Sequence, residues 1–447
     1  MEKRAATFII LGGTGDLATK KLIPSIYALF ERGELDDFDL VATSRKEMTD
    51  QDYVSLIEGN VEKEERWEEF CSNLHFVRLN FYEPGDYARL AKVLRGCGRR
   101  KLFYLATLPG HFQAITTNLA SHDLVTDSDK VIYEKPFGDD LNSARELNET
   151  ISRVFPEERI YRIDHYLDKE LVENITVLRF ANSIVEPIWC SKYIDHVQII
   201  ASEDFGVEGR GEFYDRYGAI RDFFQSHILQ LLALTTMKKP DEFNAECIRD
   251  EKVSALSKVR VLDTITGQYR GYLEEDEVEQ GSSTETLAAI KLKLDDPRWR
   301  GVPIFTLFGK NLAKKYAQVY VQFKPAAERF LNDRIEPGPN SLVVSIQPDK
   351  GIYFTLNTKV PGEMRTTESK MNFCYTCHHG PNTPRAYENL LVQAIGGHQR
   401  SFVRSDEIEQ QWKIVGGIER QRPFIYEKGQ IPGCVRDFIG KRKWHDL

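Results

Sequence analysis

The 447-residue sequence has few cysteines and no excess of positive charge. Its 60 Lys and Arg residues are outnumbered by 68 Asp and Glu residues, so the formal net charge is -8. A protein whose main task is to bind nucleic acid usually has a strong basic excess, so this class is disfavoured. Apolar runs are also short, and none reaches the roughly 18 residues that a transmembrane helix needs. We therefore expect neither a nucleic-acid partner nor a membrane.

The seven cysteines are scattered along the chain. A secreted protein held together by disulfides normally has an even and dense set, so this set favours a reducing cytoplasm. The apolar run that ends at Gly12 is too short for a signal peptide. Cys374, Cys377 and His378 match the attachment pattern of c-type haem, but they do not form a spaced set of four metal ligands. We expect a cytoplasmic chain with no metal and no haem.

Strand and helix patterns alternate over the first third of the chain. Apolar runs predict strands at 8–11, 40–42, 76–79, 102–106 and 131–133, and helical spacing predicts helices at 18–30, 87–94 and 112–121. This alternation implies a parallel sheet with helices on both faces. Residues 163–177 and 219–237 also have helical patterns. From about Ile290 strand-like runs dominate, which predicts an α+β domain with a large, mainly antiparallel sheet.

A glycine-rich turn joins the first predicted strand to the first predicted helix. Its sequence from Gly12 to Ala18, GGTGDLA, matches the pattern G-x-G-x-x-A. Glycine permits the tight turn and lets a pyrophosphate approach the backbone, while the amides at the helix start meet the negative charge. We interpret the turn as a dinucleotide site, with an ordinary strand-to-helix turn as the alternative. Its cofactor-binding residues are then Gly12, Gly13, Thr14, Gly15, Asp16 and Leu17.

The end of the second predicted strand bears on the choice of cofactor. An NAD enzyme usually has an acidic residue there, which accepts a hydrogen bond from the ribose 2′-hydroxyl. Here the segment from Val41 to Lys46 has no carboxylate and ends in two cations. A guanidinium binds phosphate and stacks on aromatic rings. Arg45 and Lys46 therefore favour NADP, with NAD as a secondary acceptor; a solvated basic loop is the alternative.

Three further motifs follow in order: EKPFG at 134–138, RIDHYLDKE at 162–170 and FQSHILQ at 224–230. With these motifs the chain resembles the glucose-6-phosphate dehydrogenase family over essentially its whole length. The resemblance implies NADP-dependent oxidation of glucose 6-phosphate at C1 to 6-phosphogluconolactone, the first step of the oxidative pentose phosphate pathway. It also implies a Rossmann-like NADP-binding domain at 1–170 and an α+β domain at 171–447. The second domain would bind the sugar phosphate and form a homodimer or homotetramer.

His227 lies in an apolar helical pattern, where an isolated histidine is usually a buried core residue. An imidazole is also a natural base for removing a sugar hydroxyl proton near neutral pH. The resemblance makes His227 the catalytic base. It makes Asp164 the carboxylate that fixes the tautomer of the base and stabilises the imidazolium.

The predicted helix at 163–177 would place His165 and Lys169 one turn apart on one face. Two cationic donors in that arrangement suit a phosphate dianion, although a surface pair is the simpler interpretation. The resemblance assigns His165, Tyr166 and Lys169 to the sugar phosphate. It places Lys135 against both substrate and nicotinamide, with a cis bond to Pro136. It assigns the remaining substrate contacts to Glu203, Asp222, Lys310 and Gln347.

Asp168 stands where the family usually has glycine. Its carboxylate, next to Lys169 in sequence, would repel a phosphate or would order the lysine. We predict weakened phosphate affinity or a different preferred aldose. A second hypothesis is therefore the same chemistry on another aldose or an amino-sugar phosphate. A third is a non-catalytic sensor of NADP and sugar phosphate, which the retention of both Asp164 and His227 disfavours.

Overall fold

The structure, a computed structural model, describes residues 4–326, 338–363, 365–380, 386–419 and 421–446. The chain divides into two compact units. The first contains the described residues up to Asp168, Asn244–Glu246 and those of Pro384–Glu409. The second contains Lys169–Phe243 and the described residues of Cys247–Thr383 and Gln410–Leu447.

The sheet of the first unit is predominantly parallel. In the described part of the chain it has seven strands: β1 (Arg4–Leu11), β2 (Leu35–Ser44), β3 (Leu74–Arg78), β4 (Lys101–Leu105), β5 (Lys130–Tyr133), β6 (Ile160–Ile163) and β15 (Phe402–Val403). The order is β15-β6-β5-β4-β1-β2-β3, and only β15 runs antiparallel to its neighbour, β6, among these described strands. Strands 3-2-1-4-5-6 in this order form the doubly wound dinucleotide-binding fold. The predicted Rossmann-like domain is confirmed.

The sheet of the second unit is larger and mainly antiparallel. Its strands within the described ranges are β7 (Ile194–Ser202), β8 (Val259–Tyr269), β9 (Leu287–Leu294), β10 (Ile304–Gly309), β11 (Tyr316–Phe323), β12 (Ser341–Gln347), β13 (Gly351–Lys359), β14 (Thr366–Cys374) and β16 (Phe424–Tyr426). Their order is β14-β13-β12-β11-β7-β10-β9-β8-β16, with parallel pairing at β7–β10 and β8–β16. The predicted α+β sheet is confirmed.

Helices cover the first sheet and carry much of the second unit. Those in the described chain are α1 (Ile23–Glu31), α2 (Asp50–Ile57), α3 (Trp67–Ser72), α4 (Pro84–Leu94), α5 (Phe112–Ser121), α6 (Leu141–Ser152), α7 (Glu170–Phe180), α8 (Gly211–Ala219), α9 (Leu229–Thr236), α10 (Ala245–Ser257), α11 (Tyr375–His379), α12 (Ala386–Gly396), α13 (Ser405–Gly416) and α14 (Gly433–Asp437). None of them has the length and apolarity needed to cross a bilayer. In the first unit α1 packs against α12, and Leu390, Leu391 and Ala394 join the core of the parallel sheet.

Two helical segments have the wider π-helical hydrogen-bond pattern, which is uncommon and occurs frequently at functional sites. One, Ala18–Leu22, follows the glycine-rich turn, and the other, Ile220–Ile228, carries the FQSHILQ motif. The predicted continuous helix at 219–237 is thus divided into this π-helix and α9. Gly218, at φ 66°, separates the π-helix from the helical turns of α8.

The predicted helix at 163–177 is wrong over residues 163–169, nearly half of its length. Ile163 ends the buried strand β6, and the helix α7 begins only at Glu170. Between them the Asp164 side chain accepts a hydrogen bond from the backbone N–H of Tyr166 at 2.9 Å. A carboxylate that binds the backbone two residues ahead favours a turn over a helix. His165 and Lys169 therefore do not lie on one helical face.

Candidate functional site

The glycine-rich turn lies at the end of β1, where the strand order of the first sheet reverses between β1 and β4. In an open α/β sheet this is where ligands bind. The backbone N–H groups of Gly12 and Gly13 donate to the carbonyl of Thr43 at 3.2 and 2.7 Å. Gly12 has φ +100°, and a Cβ there would lie 2.4 Å from the carbonyl oxygen of Ala106. The turn therefore requires glycine at this position.

The rest of the turn continues into the π-helix. The amide of Gly15 donates to the carbonyl of Gly12 at 3.1 Å, and that of Thr19 donates to the carbonyl of Gly15 at 3.0 Å. Asp16 pairs with Lys20 at 2.9 Å, and both side chains are exposed. Thr14 and Leu17 are half-buried. These residues fit a pyrophosphate cradle, because Gly15 and Asp16 are exposed at the start of a helix, where phosphates bind.

Arg45 and Lys46 follow β2 and are both exposed. The charge of Arg45, together with burial as the larger cause, lowers the pKa of His111. Arg45 therefore lies near the His111 ring, whose Nδ1 forms a hydrogen bond of 2.8 Å with the hydroxyl of Tyr82. Tyr82 is 57% exposed. A cation with exposed aromatic rings nearby suits both a phosphate and an adenine face.

A buried carboxyl group precedes Lys135. Glu134 accepts hydrogen bonds from the hydroxyls of Tyr104 at 2.5 Å and Tyr387 at 3.4 Å. Burial raises the pKa of Glu134 despite these two donors. The network fixes the end of β5, and the Lys135-Pro136 bond that follows is cis, as the resemblance predicted. Lys135 is thereby held directly after a rigid strand end.

The turn between β6 and α7 carries the RIDHYLDKE motif. Asp164 and Tyr166 are buried, with exposed fractions of 2% and 3%, whereas His165 is exposed. The rings of His165 and Tyr166 contact edge to face at 5.1 Å between centroids. The turn thus fixes Asp164 through its own backbone bond and presents the imidazole of His165 to solvent.

Asp168 has a partner that the sequence did not indicate. It is 5% exposed, and its Oδ1 accepts a hydrogen bond from Nδ2 of Asn389 at 2.8 Å. Asn389 lies on α12, more than 200 positions along the chain, and Tyr387 lies on the same helix. Helix α12 therefore holds both Asp168 and the Glu134 network within the first unit.

In the second unit, two of the predicted substrate residues meet. Lys169 lies just before α7, and its Nζ donates to Oε1 of Gln347, at the end of β12, at 2.9 Å. Both residues were predicted as sugar-phosphate contacts. The contact brings an ammonium and an amide to one place, a donor set that suits a phosphate.

A second group in this unit contains Lys310, Glu203 and Asp222. Lys310 is 4% exposed, and its Nζ pairs with Oε2 of Glu203 at 2.6 Å. The ammonium also lies 5.2 Å from the ring centre of Tyr214. Burial, followed by the charge of Asp222 and other nearby groups including Glu203, raises the pKa of Tyr214 well above 10. The three predicted residues therefore surround one buried tyrosine.

His227 lies on the π-helix and is 1% exposed. Its ring contacts that of Phe223 edge to face at 5.0 Å, and Phe223 stacks on Phe308 at 6.4 Å. The start of the π-helix is fixed by Glu285, whose Oε1 accepts the N–H of Ile220 at 3.0 Å. His227 is thus oriented by its contact with the Phe223 ring and by a helix whose first residue is held by Glu285.

Some of these positioning residues gave no signal in the sequence. They are Tyr104, Glu134, Tyr214, Glu285, Tyr387 and Asn389, each ordinary in its local pattern. Glu134 lies inside a recognised motif, and its position before Lys135 was the one available hint. The others act through contacts between residues distant in sequence, which local patterns do not reveal.

Comparison with known proteins assigns both halves of the chain. Residues 9–174 match the family model "Glucose-6-phosphate dehydrogenase, NAD binding domain", and residues 176–443 match "Glucose-6-phosphate dehydrogenase, C-terminal domain". The chain belongs to the glucose-6-phosphate dehydrogenase family. Its first half accordingly has the family's dinucleotide-binding domain, which supports NAD(P) as cofactor.

Individual relatives cover nearly all of the chain. It is 39% identical to the chloroplastic glucose-6-phosphate 1-dehydrogenase of Spinacia oleracea, covering 100% of this chain and 85% of the relative. It is 36% identical to the glucose-6-phosphate 1-dehydrogenase of Bacillus subtilis, covering 99% and 96%. A solved glucose-6-phosphate dehydrogenase in complex with its substrate glucose 6-phosphate matches with a TM-score of 0.91 and 32% identity, covering 100% and 99%.

A second solved structure agrees. Glucose-6-phosphate 1-dehydrogenase from Mycobacterium avium matches with a TM-score of 0.90 and 33% identity, covering 100% of this chain and 99% of that one. The family's fold thus extends over both units. The roles of individual residues rest on the geometry described above and on the motifs.

Proposed function

We propose that this protein oxidises glucose 6-phosphate at C1 to 6-phosphogluconolactone with NADP, the first step of the oxidative pentose phosphate pathway. Family membership over the whole chain is the observation that carries this proposal. When bound, the nicotinamide accepts the hydride from C1. The protein positions the sugar and removes the proton of the C1 hydroxyl.

The glycine-rich turn fits the pyrophosphate of the cofactor. A Cβ at Gly12 would clash with the carbonyl oxygen of Ala106, so the turn keeps this conformation only with glycine. Gly12 to Leu17 would hold the pyrophosphate through the backbone, and Lys135 would contact the nicotinamide end. Arg45 and Lys46 would bind the 2′-phosphate. Their exposure beside the Tyr82 and His111 pair, and the absence of an acidic residue at the end of β2, support NADP over NAD.

We assign the remaining predicted residues to the sugar phosphate. We assign the phosphate to His165, Tyr166 and Lys169, with Gln347 beside the lysine. We assign the glucose hydroxyls to Lys135, Glu203, Asp222 and Lys310. The Lys169–Gln347 and Lys310–Glu203 contacts support two separate polar subsites for the two ends of the substrate.

The base is His227, and Asp164 orients its imidazole. The neutral ring takes the C1 hydroxyl proton and becomes an imidazolium, which the carboxylate of Asp164 stabilises. The burial of both side chains supports this assignment, because burial strengthens an electrostatic contribution of this kind. Residues 1–170 would provide the cofactor site and four of the eight sugar-phosphate contacts, and residues 171–447 the other four.

The test is a substrate panel with both cofactors, followed by NADPH absorbance at 340 nm. Glucose 6-phosphate with NADP should give the highest kcat/KM. His227→Asn should lower kcat by about 10²- to 10⁴-fold, the usual contribution of a general base. His75→Asn, at a half-exposed histidine on β3, is the matched control and should keep normal turnover. Near-normal turnover of the His227 variant would show that the base is wrong.

One observation supports a second substrate. Asp168 places a buried carboxylate at the end of the RIDHYLDKE turn, where the family usually has glycine. A carboxylate there suits an ammonium or hydroxyl of an amino-sugar phosphate or another aldose. The same panel separates the hypotheses: glucosamine 6-phosphate oxidised faster than glucose 6-phosphate would favour the second substrate. Binding of both ligands with no NADPH formed would indicate a sensor.

We further propose a cytoplasmic homodimer or homotetramer formed through the large sheet. Leu356 on β13 and Met371 and Phe373 on β14 are large apolar side chains with exposed fractions of 37%, 63% and 37%. Apolar groups on an outer pair of strands suit an interface with a second copy. Sedimentation velocity of the wild type and of Met371→Lys tests this: the variant should dissociate.

A further inference from the structure

Cys374 and Cys377 form a disulfide in the second unit. This pair has the spacing of a haem-attachment motif and takes no part in the site described above. Cys377 is exposed and Cys374 is half-buried, while Cys71, Cys97, Cys190 and Cys434 are free thiols. An isolated, accessible disulfide in a chain that otherwise keeps its thiols is typical of reversible redox chemistry rather than of a structural framework.

Tyr375, one of the two residues between the cysteines, connects them to the proposed phosphate subsite. The hydroxyl of Tyr375 donates to Oε2 of Glu170 at 3.0 Å. Glu170 is the first residue of α7 and follows Lys169 directly. Burial, and then the hydrogen bond with Glu170, raises the pKa of Tyr375 to about 12, so the hydroxyl is a proton donor at any physiological pH. Lys169, one of the two residues of the Lys169–Gln347 contact, is thereby connected to the cysteine pair through Glu170 and Tyr375.

Gln347, the other residue of that contact, is also connected to the cysteine pair. The backbone N–H of Tyr375 donates to the carbonyl of Lys350 at 3.0 Å. Lys350 lies in the short connection between Gln347, which ends β12, and Gly351, which begins β13 and pairs with Cys374. Tyr375 therefore bonds once to the segment of Lys169 and once to the segment of Gln347.

We propose that Cys374 and Cys377 are a thiol–disulfide exchange site, and that its redox state sets the affinity of the Lys169–Gln347 subsite for sugar phosphate; the second part rests on the proposed function. In the oxidised state the crosslink holds Tyr375 in the position that makes both bonds. Reduction removes the crosslink, so Tyr375 makes the bond to Glu170 for a smaller fraction of the time. Lys169 is then less well ordered for a phosphate.

The exchange needs a low-molecular-weight disulfide as oxidant and a dithiol as reductant. One cysteine thiolate attacks a low-molecular-weight disulfide and expels a thiolate, which leaves a mixed disulfide. The second cysteine thiolate attacks the protein sulfur and expels the second small thiolate. Two electrons and two protons pass from the protein dithiol to two small thiols. A dithiol reductant reverses both steps.

The experiment uses the full-length protein equilibrated in buffers of oxidised and reduced glutathione. Alkylation and peptide mass spectrometry then report the redox state of Cys374 and Cys377. We expect the peptide with Cys374 and Cys377 to change by two alkyl groups between the limits, with Cys434 alkylated throughout. A pair that remains fully reduced in oxidised glutathione alone, or fully oxidised in excess dithiothreitol, would refute the exchange site. This readout does not depend on turnover, so it stands even if no sugar phosphate is oxidised.

Kinetics test the link to the subsite. Reduction should raise KM for glucose 6-phosphate about three- to tenfold, the value of one partly lost hydrogen bond, with kcat unchanged within twofold. The Cys374→Ser/Cys377→Ser variant and Tyr375→Phe should both have, in either buffer, the higher KM of the wild-type protein in its reduced state. Cys434→Ser is the matched control and should respond like the wild type. Equal KM in the two redox states, with exchange proved by mass, would refute the link.

Discussion

The carboxylate of Asp168 stands where the resemblance predicts glycine, and its replacement by asparagine isolates the effect of charge. The Asp168→Asn side chain keeps an amide oxygen that accepts the hydrogen bond from Asn389, now 2.8 Å long. The bond therefore persists while the negative charge disappears. A glycine at this position would remove both at once and would also loosen the backbone.

Two effects of opposite sign are expected. A hydrogen bond to a charged group contributes about 1.5–3 kcal/mol and one between neutral groups about 0.5–1.5 kcal/mol, so the free energy of unfolding should fall by about 1 kcal/mol. Removal of a unit charge near a phosphate should stabilise the bound phosphate by roughly 1 kcal/mol, which is about fivefold in affinity. KM for glucose 6-phosphate should therefore fall about fivefold in Asp168→Asn.

Two assays and one control separate these effects. Steady-state kinetics at low ionic strength report KM, and urea denaturation reports the loss of stability. Asn389→Ala removes the hydrogen bond but keeps the charge, so it should lose about 2 kcal/mol of stability without any fall in KM. Because salt screens a buried charge only weakly, most of the difference in KM should remain in 0.5 M salt. If the Asp168→Asn variant has the wild-type KM at low salt, the carboxylate does not repel the phosphate.

Three more predictions concern stability. Gly218 has φ 66°, and a Cβ there would lie 2.5 Å from Glu285 Oε1. Gly218→Ala should therefore lower the free energy of unfolding, measured by urea denaturation, by at least about 1–2 kcal/mol, and it should also lower kcat. Lys310→Met leaves the half-buried Glu203 without its ammonium, so the same assay should show a loss of about 1–3 kcal/mol. Burial lowers the pKa of Lys130 from 10.5 to about 8, so the unfolded chain binds more protons between these values. Stability should therefore rise from pH 8 to 10.5, and Lys130→Met should lose that rise in a thermal melt.

The strands and the dinucleotide turn could be predicted because their signals are local. The apolar runs at 8–11 and 131–133 lie inside β1 and β5, and α5 has the predicted bounds of 112–121. Parallel strands buried on both faces give such continuous apolar runs. The strand order then follows from the alternation of strands and helices together with the position of the glycine turn.

The failures have two physical causes, which are local hydrogen bonds that compete with the helix pattern and contacts between residues distant in sequence. His165 and Lys169 have helical spacing, but a side-chain bond from Asp164 to the backbone turns the chain there. The π-helix with His227 has an ordinary helical pattern, because its apolar residues Ile220, Phe224 and Ile228 recur at the spacing of an α-helix. Asn389 contacts Asp168 across more than 200 positions, and neither residue signals the other.

The proposed functional residues cluster where regular backbone bonding is interrupted, and each interruption is satisfied by a specific group. Thr43 provides a carbonyl to the glycine turn, Asp164 accepts the N–H of Tyr166, and Glu285 accepts the N–H of Ile220. A buried backbone donor without a partner would cost about 1–3 kcal/mol, so these acceptors fix the geometry more firmly than regular structure would. The carboxylates of Asp164 and Glu285 therefore act on the position of the chemistry through the backbone, and such residues are recognised only by the bond that they accept.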